Sequence, residues 1–169
     1  MNYEMYEELI RMLLFDAAGN WISTHTQLHV DALPESVLSA FRASEYANCQ
    51  IDEVGEYLNY DKNGVEVDLS YNGTEIKAQF DLGDQGYVWV SSEWNLNYQQ
   101  ESVVPAAIRK TLDSKYAAYQ LYFLKYNETS KGEDYYMAGL KSASLKSHLT
   151  VKMNAQGNVL GEYGEHIHR

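Results

Sequence analysis

The chain has 169 residues, of which 45% are hydrophobic and 22% are charged, as is typical of one globular domain or two small ones. Its net charge of −11 excludes nucleic acid and anionic membrane as expected partners, because phosphate contacts need clustered Lys and Arg. No apolar run approaches the roughly 20 residues of a membrane-spanning helix, so no membrane insertion is predicted.

The N-terminal segment predicts a β-hairpin, with strands at residues 8–15 and 21–29 and a tight turn over Asp16 and Gly19. Asp supplies a local hydrogen bond and Gly the positive φ that such a turn needs. An apolar residue, then Asp or Asn, then Gly recurs at 78–89 and 151–159. We interpret these Asp and Asn residues as turn residues, since a calcium site would need more oxygen ligands at fixed spacing.

Two short helices are predicted, because the only two prolines, Pro34 and Pro105, open the same pattern. Each proline is followed by an apolar residue three and seven positions later, which a helix places on one face. A proline in the first helical turn loses no hydrogen bond. The apolar residues are Val37 and Phe41 in the first copy, and Ile108 and Leu112 in the second.

Aromatic and β-branched residues dominate the segments after each helix and predict strands there. Asp61-Lys62-Asn63-Gly64 and Asn72-Gly73 are the predicted turns between such strands, since both contain the Asn-Gly dipeptide of a tight hairpin. The predicted strands are 50–58, 65–71 and 75–81 in the first copy, and 118–126, 134–141 and 147–154 in the second, with further strands at 87–98 and 159–166.

The order of elements in each copy is a strand, a helix and three antiparallel strands, and no linker separates the copies. We therefore predict an α+β fold in which two tandem units, residues 1–82 and 83–169, form one continuous antiparallel sheet. Both helices are expected on one face of the sheet, which leaves the other face partly open to solvent.

Aromatic side chains occur in both registers of the predicted strands, so not all of them can face the helices. Because aromatic residues concentrate energy at interfaces, the open face is the predicted binding surface for an unidentified protein or peptide. A glycan is the alternative ligand, since Tyr and Trp stack on sugar rings. A monomer or weak dimer is expected. The predicted binding residues, some of which must belong to the core, are Tyr87, Trp89, Trp94, Tyr119, Tyr122 and Tyr136.

No catalytic motif is present: the sequence lacks a Gly-rich phosphate loop, a Cys pair and a His-Glu-x-x-His pattern. Glu66 and Asp68 lie on one side of a predicted strand, about 6–7 Å apart, which overlaps glycosidase geometry. Their alternation with valines explains them more simply as the exposed side of an amphipathic strand. A hydrolase using Glu66 and Asp68 is the least favoured alternative, and the chain is predicted not to be an enzyme.

The single cysteine and the C-terminal histidines do not predict a cofactor site. Cys49 has no neighbouring base motif and is interpreted as a buried or idle thiol. His166 and His168, with Glu162 and Glu165 nearby, would suit zinc or nickel, but ligands at a chain end lack supporting contacts. Neither a metal nor another cofactor is predicted.

Three short structural motifs stand out along the chain: Leu14-Phe15-Asp16 with Gly19 and Trp21, Leu33-Pro34 with Val37 and Phe41, and Phe80-Asp81. In these motifs the chain resembles the PepSY-like, β-lactamase-inhibitor-like proteins over nearly its whole length. The chain departs from the pattern at Val104-Pro105 and at Met153-Asn154. The resemblance implies an exported, periplasmic or cell-surface, non-enzymatic protein whose signal peptide is absent from this sequence. It supplies no catalytic residues to carry over.

Overall fold

The computed structural model describes residues 11–100, 102–142, 144 and 147–166. This part of the chain has an α+β fold of ten strands and two α-helices, with the strands ordered in the sheet as they are in the chain. A single 3-10 turn, Val30–Ala32, follows the second strand. The helices are α1 (Glu35–Ala43) and α2 (Ala106–Lys115). The strands are β1 (Arg11–Phe15), β2 (Trp21–Leu28), β3 (Gln50–Asn59), β4 (Asn63–Tyr71), β5 (Thr74–Gly83), β6 (Gly86–Asn95), β7 (Gln120–Thr129), β8 (Tyr135–Ser142), β9 (Ser147–Met153) and β10 (Val159–His166). Neither helix is long and apolar enough to cross a membrane.

Both predicted helices are confirmed, and each begins directly after its proline. Pro34 and Pro105 are the N-cap residues, with ψ of 143° and 139°. Their carbonyls accept the first helical hydrogen bonds, from residues three positions later, at 3.0 and 3.1 Å. A proline suits this position because its missing N–H would have had no partner in the helix. The buried residues are those predicted: Val37 and Phe41 in α1, and Ile108 and Leu112 in α2.

The chain forms two compact units, the first made of residues up to 73 together with 77–91, and the second of 74–76 together with the chain from Ser92 onward. In the first unit, β4 alternates between buried and half-buried side chains. Val65, Val67 and Leu69 are buried, whereas Glu66 and Asp68 point to the opposite side. The amphipathic pattern predicted for this strand is therefore confirmed.

The core of the second unit lies between α2 and one side of β7, β8 and β9. Side chains of alternate residues on these strands reach it. Leu124 is opposite Ala138, and Ala138 is opposite Val151, so the buried positions form rows across the strands. The members of this core include Ile108, Leu112, Leu124, Tyr136, Ala138, Leu140, Val151 and Met153.

The first and third predicted hairpin turns have the same hydrogen-bond pattern. The carboxylate of Asp16 accepts from the backbone N–H groups two and four residues later, both at 2.9 Å. The side-chain oxygen of Asn154 accepts from the same two positions, at 3.1 and 3.0 Å. Gly19 and Gly157 follow with φ of 85° and 78°. The interpretation of these Asp and Asn residues as turn residues is confirmed.

Two other predicted turns, at 61–64 and from Asp81 onward, are shifted along the chain. Gly64 lies inside β4, opposite Tyr57, and the tyrosine ring fills the space that a Cβ on Gly64 would need. Asp81 lies inside β5, where its carboxylate accepts a hydrogen bond from the Tyr57 hydroxyl at 2.5 Å. The turns fall at residues 60–62 and 84–85 instead, whereas the turn at Asn72-Gly73, with φ of 49° and 81°, is confirmed.

Gly157 combines a left-handed backbone with a close approach to α2. A Cβ there would overlap the Ala107 carbonyl and lie 2.7 Å from Thr111 Oγ1, which donates a hydrogen bond to the Gly157 carbonyl at 2.7 Å. We predict that Gly157→Ala lowers the free energy of unfolding by about 2–4 kcal/mol, because backbone strain adds to displacement of the hairpin from the helix. Urea denaturation followed by tryptophan fluorescence measures this loss.

Gly132→Ala is the matched control for this prediction. Gly132 has nearly the same φ, 75°, but nothing lies within 4 Å of its Cβ position. Gly132→Ala should lower the free energy of unfolding by only about 1–2 kcal/mol, the part that comes from backbone strain. Equal losses for the two variants would show that packing against α2 contributes nothing.

Candidate functional site

The strands β7–β10 carry a cluster of aromatic and cationic side chains on the side that faces away from α2. We call this surface the outer face. Its positions follow from strand alternation, because they lie between the residues that reach the core of the second unit. The outer face is defined by Tyr122, Phe123, Met137, His148, Lys152 and Tyr163.

Tyr122 is exposed on the outer face because β7 contains a bulge. The register of β7 against β8 shifts between Leu121 and Phe123, which makes Tyr122 the extra residue. Its side chain is 52% exposed. The ring meets Phe123 and His148 edge to face, with centroids 4.9 and 5.9 Å apart. These contacts orient the tyrosine ring while leaving half of it accessible.

Phe123 lies against the backbone of β8. It is opposite Gly139, and a Cβ on Gly139 would overlap the phenylalanine ring. The absence of a side chain at Gly139 therefore allows the ring to rest on the sheet. Tyr163, 58% exposed, makes a similar approach to Gly161, whose Cβ position is 3.1 Å from the tyrosine hydroxyl.

Ammonium groups lie close to these rings. Lys125 Nζ is 5.3 Å from the centre of the Phe123 ring and 3.4 Å from the Glu93 carboxylate. Lys152 Nζ is 4.2 Å from the centre of the Tyr135 ring. The outer face thus combines aromatic rings with fixed positive charge, an arrangement suited to ligands that have both apolar and anionic groups.

Tyr136 is not a surface residue, which corrects its predicted binding role. It is 8% exposed and belongs to the core of the second unit. On β8 it has the same parity as Ala138 and Leu140, so it faces α2. Its ring packs on Tyr126, with centroids 4.8 Å apart.

Trp89 and Tyr119, both predicted binding residues, are half-buried beside the helices. Trp89 lines a depression of about 350 Å³ with Ala40, Ala43 and Tyr46, at the C-terminal end of α1. Tyr119 lines one of about 300 Å³ at the C-terminal end of α2. These two rings therefore border helix ends within their own units.

Tyr87 and Trp94, the other two predicted binding residues, are also half-buried. Burial raises the pKa of the Tyr87 hydroxyl, and the nearby Glu56 carboxylate raises it further. Trp94 has a fully buried ring nitrogen. Of the six predicted residues, Tyr122 is therefore the one that is largely exposed.

Sequence reasoning missed Phe123, His148 and Lys152. Alternation from the buried Leu124 would have placed Phe123 on the opposite side of β7. The position of Tyr122 depends on the bulge, for which this sequence has no clear local signal.

Glu66 and Asp68 lie together beside a depression of about 310 Å³ in the first unit. Gly55, Tyr57 and His25 also line it. Burial raises the pKa of the Asp68 carboxyl; Lys77 opposes this shift, while Glu66 and other carboxylates add to it. Glu66 is 3.7 Å from the Lys77 ammonium. Within the described ranges, no group of three His, Cys, Asp or Glu residues is placed to hold a metal ion.

The raised pKa of Asp68 gives a prediction for stability. A carboxyl whose pKa is raised by folding destabilises the native state above its unfolded pKa, near 3.8, and has no effect below it. We therefore expect Asp68→Asn to raise the free energy of unfolding at pH 7 but not at pH 3. Urea titrations at the two pH values measure the difference. Glu53→Gln, at an exposed position in the same depression, is the control, and an equal gain there would contradict the assignment to burial.

Cys49 and Tyr119 occupy similar positions in the turns that follow α1 and α2. The backbone N–H of each donates to the carbonyl of the tyrosine three residues earlier, Tyr46 or Tyr116, both at 3.0 Å. Cys49 is a half-buried free thiol, and burial raises its pKa, followed by the effect of Glu45. The raised pKa makes the thiolate less available at neutral pH. The metal hypothesis for His166 and His168 concerns side chains outside the described residues.

Residues 6–88 match the family described as "Putative beta-lactamase-inhibitor-like, PepSY-like". The resemblance inferred from the sequence is therefore confirmed over this segment, which is about half of the chain. No curated protein matches the chain.

Three solved structures from Bacteroides species have a similar fold. A DUF2874 family protein from Bacteroides uniformis is 17% identical, with a TM-score of 0.61 over 78% of this chain and 89% of its own. A BLIP-like protein from Bacteroides fragilis is 16% identical, with a TM-score of 0.61 over 81% of this chain and 91% of its own. A protein from Bacteroides eggerthii described as "putative periplasmic" is 14% identical, with a TM-score of 0.59 over 79% and 89%. At these identities the likeness establishes the fold.

Proposed function

We propose that this chain is an exported, non-enzymatic binding module that uses the outer face of its second unit to hold a protein or peptide. The observation that carries the proposal is the cluster of Tyr122, Phe123 and His148, in which the half-exposed Tyr122 ring contacts the other two rings. Exposed aromatic clusters bordered by polar groups are typical of interaction sites. An anchored tyrosine also loses little conformational freedom when a partner binds.

The proposal includes the architecture predicted from the sequence, in which tandem units, 1–82 and 83–169, share a continuous sheet with both helices on one side. The repeated proline-capped helices and the repeated Asx turns support a duplicated unit. In such an architecture the open side of the sheet would remain free for a partner.

The comparisons support export and an inhibitor-like form of binding. One similar structure is described as a periplasmic protein and another as BLIP-like. The family description of residues 6–88 also includes the words beta-lactamase-inhibitor-like. These descriptions favour a protein partner outside the cytoplasm over a small metabolite.

A carbohydrate is the second candidate ligand, because Tyr122 and Tyr163 both offer exposed rings. A sugar would stack on such rings while its hydroxyl groups bond to neighbouring polar side chains. Binding on a glycan array that is lost in Tyr122→Ala would favour this alternative. A hydrolase using Glu66 and Asp68 is less well supported, because Glu66 is ion-paired with Lys77.

Selection of peptides from a random display library tests the proposed function. We expect the wild-type protein to enrich peptides whose affinity falls about tenfold or more in Tyr122→Ala, because truncating a central aromatic residue removes a large share of binding energy. Fluorescence anisotropy with the selected peptides measures the loss, and circular dichroism verifies folding.

Tyr71→Ala is the matched control for this experiment. Tyr71 is 47% exposed but lies at the end of β4 in the first unit. Its replacement should leave the affinity of the selected peptides unchanged. Peptides that bind Tyr122→Ala as tightly as the wild type would place the binding surface elsewhere.

A further inference from the structure

We infer that the outer face takes an acidic polypeptide segment, one in which Asp or Glu residues lie next to aromatic or aliphatic residues. This inference rests on the proposed function and adds the chemical class of the partner. It is drawn from the charge of the two units, from the lysines on the outer face and from a comparison of equivalent positions in the two repeats.

The net charge of −11 resides entirely in the first unit. That unit contains fifteen Asp and Glu residues against four Lys and Arg, whereas the second contains nine of each and is neutral. The second unit is therefore the part of the chain that an anionic partner can approach without general repulsion.

Three lysines lie beside the aromatic cluster of the outer face, one on each of β7, β8 and β9. Lys125 and Lys152 are both opposite Met137 on its two neighbouring strands, and Lys141 is opposite His148. Lys125 is paired with Glu93. Among the side chains that the structure describes, which do not include that of Glu165, no carboxylate lies within salt-bridge distance of Lys141 or Lys152.

An acidic position also exists at the margin of this surface. The backbone of β10 pairs Glu165 with His148. With Glu93, it gives two acidic positions beside three lysines and a histidine. Three lysines against two acidic residues leave a positive balance of charge beside Tyr122 and Phe123, in contrast to the chain as a whole.

The same positions in the first unit carry the opposite chemistry. Strand β3 begins with Gln50 and has a bulge before Glu53, as β7 begins with Gln120 and has a bulge before Phe123. This alignment pairs Val54 with Leu124 and, on the next strand, Val67 with Ala138. The resulting equivalents are Asp52 and Tyr122, Glu53 and Phe123, Glu66 and Met137, Asp68 and Gly139, and Ser70 and Lys141.

The fold therefore does not impose the chemistry of this surface, since one repeat is acidic where the other is aromatic and cationic. A segment with alternating carboxylates and apolar side chains satisfies both features of the outer face. Its apolar side chains would pack on Tyr122 and Phe123, while its carboxylates would reach Lys141 and Lys152. The acidic face of the first unit would reject the same segment by like-charge repulsion.

Three synthetic, fluorescein-labelled 12-residue peptides test the inference on the full chain. They share Tyr and Leu at alternate positions and carry Glu, Gln or Lys at the others. At 0.15 M salt, where exposed charges are screened beyond about 8 Å, we expect the Glu peptide to bind about tenfold more tightly than the Gln peptide, since each exposed ion pair contributes up to about fivefold. At the outer face the Lys peptide should bind most weakly; any binding of this peptide that Tyr122→Ala leaves intact is assigned to the acidic first unit.

Two variants separate the inference from the proposed function. Lys141→Glu combined with Lys152→Glu should remove the preference for the Glu peptide, whereas Lys110→Glu combined with Lys131→Glu makes the same change in net charge at exposed positions outside the outer face and should retain it. Tyr122→Ala should weaken all three peptides.

If the Glu peptide binds no more tightly than the Gln peptide, or if the Lys141/Lys152 variant retains its preference, the acidic partner is overturned. The proposed function survives that result as long as Tyr122→Ala still weakens binding. If Tyr122→Ala weakens none of the peptides that bind, the outer face is not the binding surface and the proposed function fails as well.

Discussion

The constraint on which the second unit depends is the alternation of side chains along antiparallel strands. Burial of Ile108 and Leu112 commits one parity of β7, β8 and β9 to the core. The opposite parity must then carry whatever chemistry faces outward. Leu124 and Phe123 show this directly, because adjacent residues of one strand serve the core and the exposed surface.

The bulge in β7 modifies this rule at one residue and thereby exposes Tyr122, whose side chain is 52% accessible. Tyr122 is the extra residue, so no residue of β8 lies directly opposite it. Its ring meets the rings of Phe123 and His148 edge to face. Strand β3 has a bulge of the same kind, whose extra residue is Asp52, so similar backbone features carry different side chains.

Helices, strands and most turns could be predicted because their signals are local: a proline at a helix start, Asx and Gly in a turn, and apolar residues at fixed spacing. Gly64 was misleading because the reason for that glycine is the Tyr57 ring on another strand. Tyr136 and Tyr122 look alike in the sequence. Only register distinguishes the core ring from the exposed one, and register is set by long-range pairing together with a bulge. The candidate site was therefore foreseeable as an aromatic sheet surface, but its membership was not.

The contact between Phe123 and Gly139 sets how far the phenylalanine ring protrudes from the outer face. The ring lies low because the neighbouring strand offers bare backbone beneath it. A methyl group at position 139 would push the Phe123 ring away from the sheet, and a larger side chain would push it further out. The topography presented to a partner can therefore change through a residue that the partner never touches, while every aromatic group stays in place.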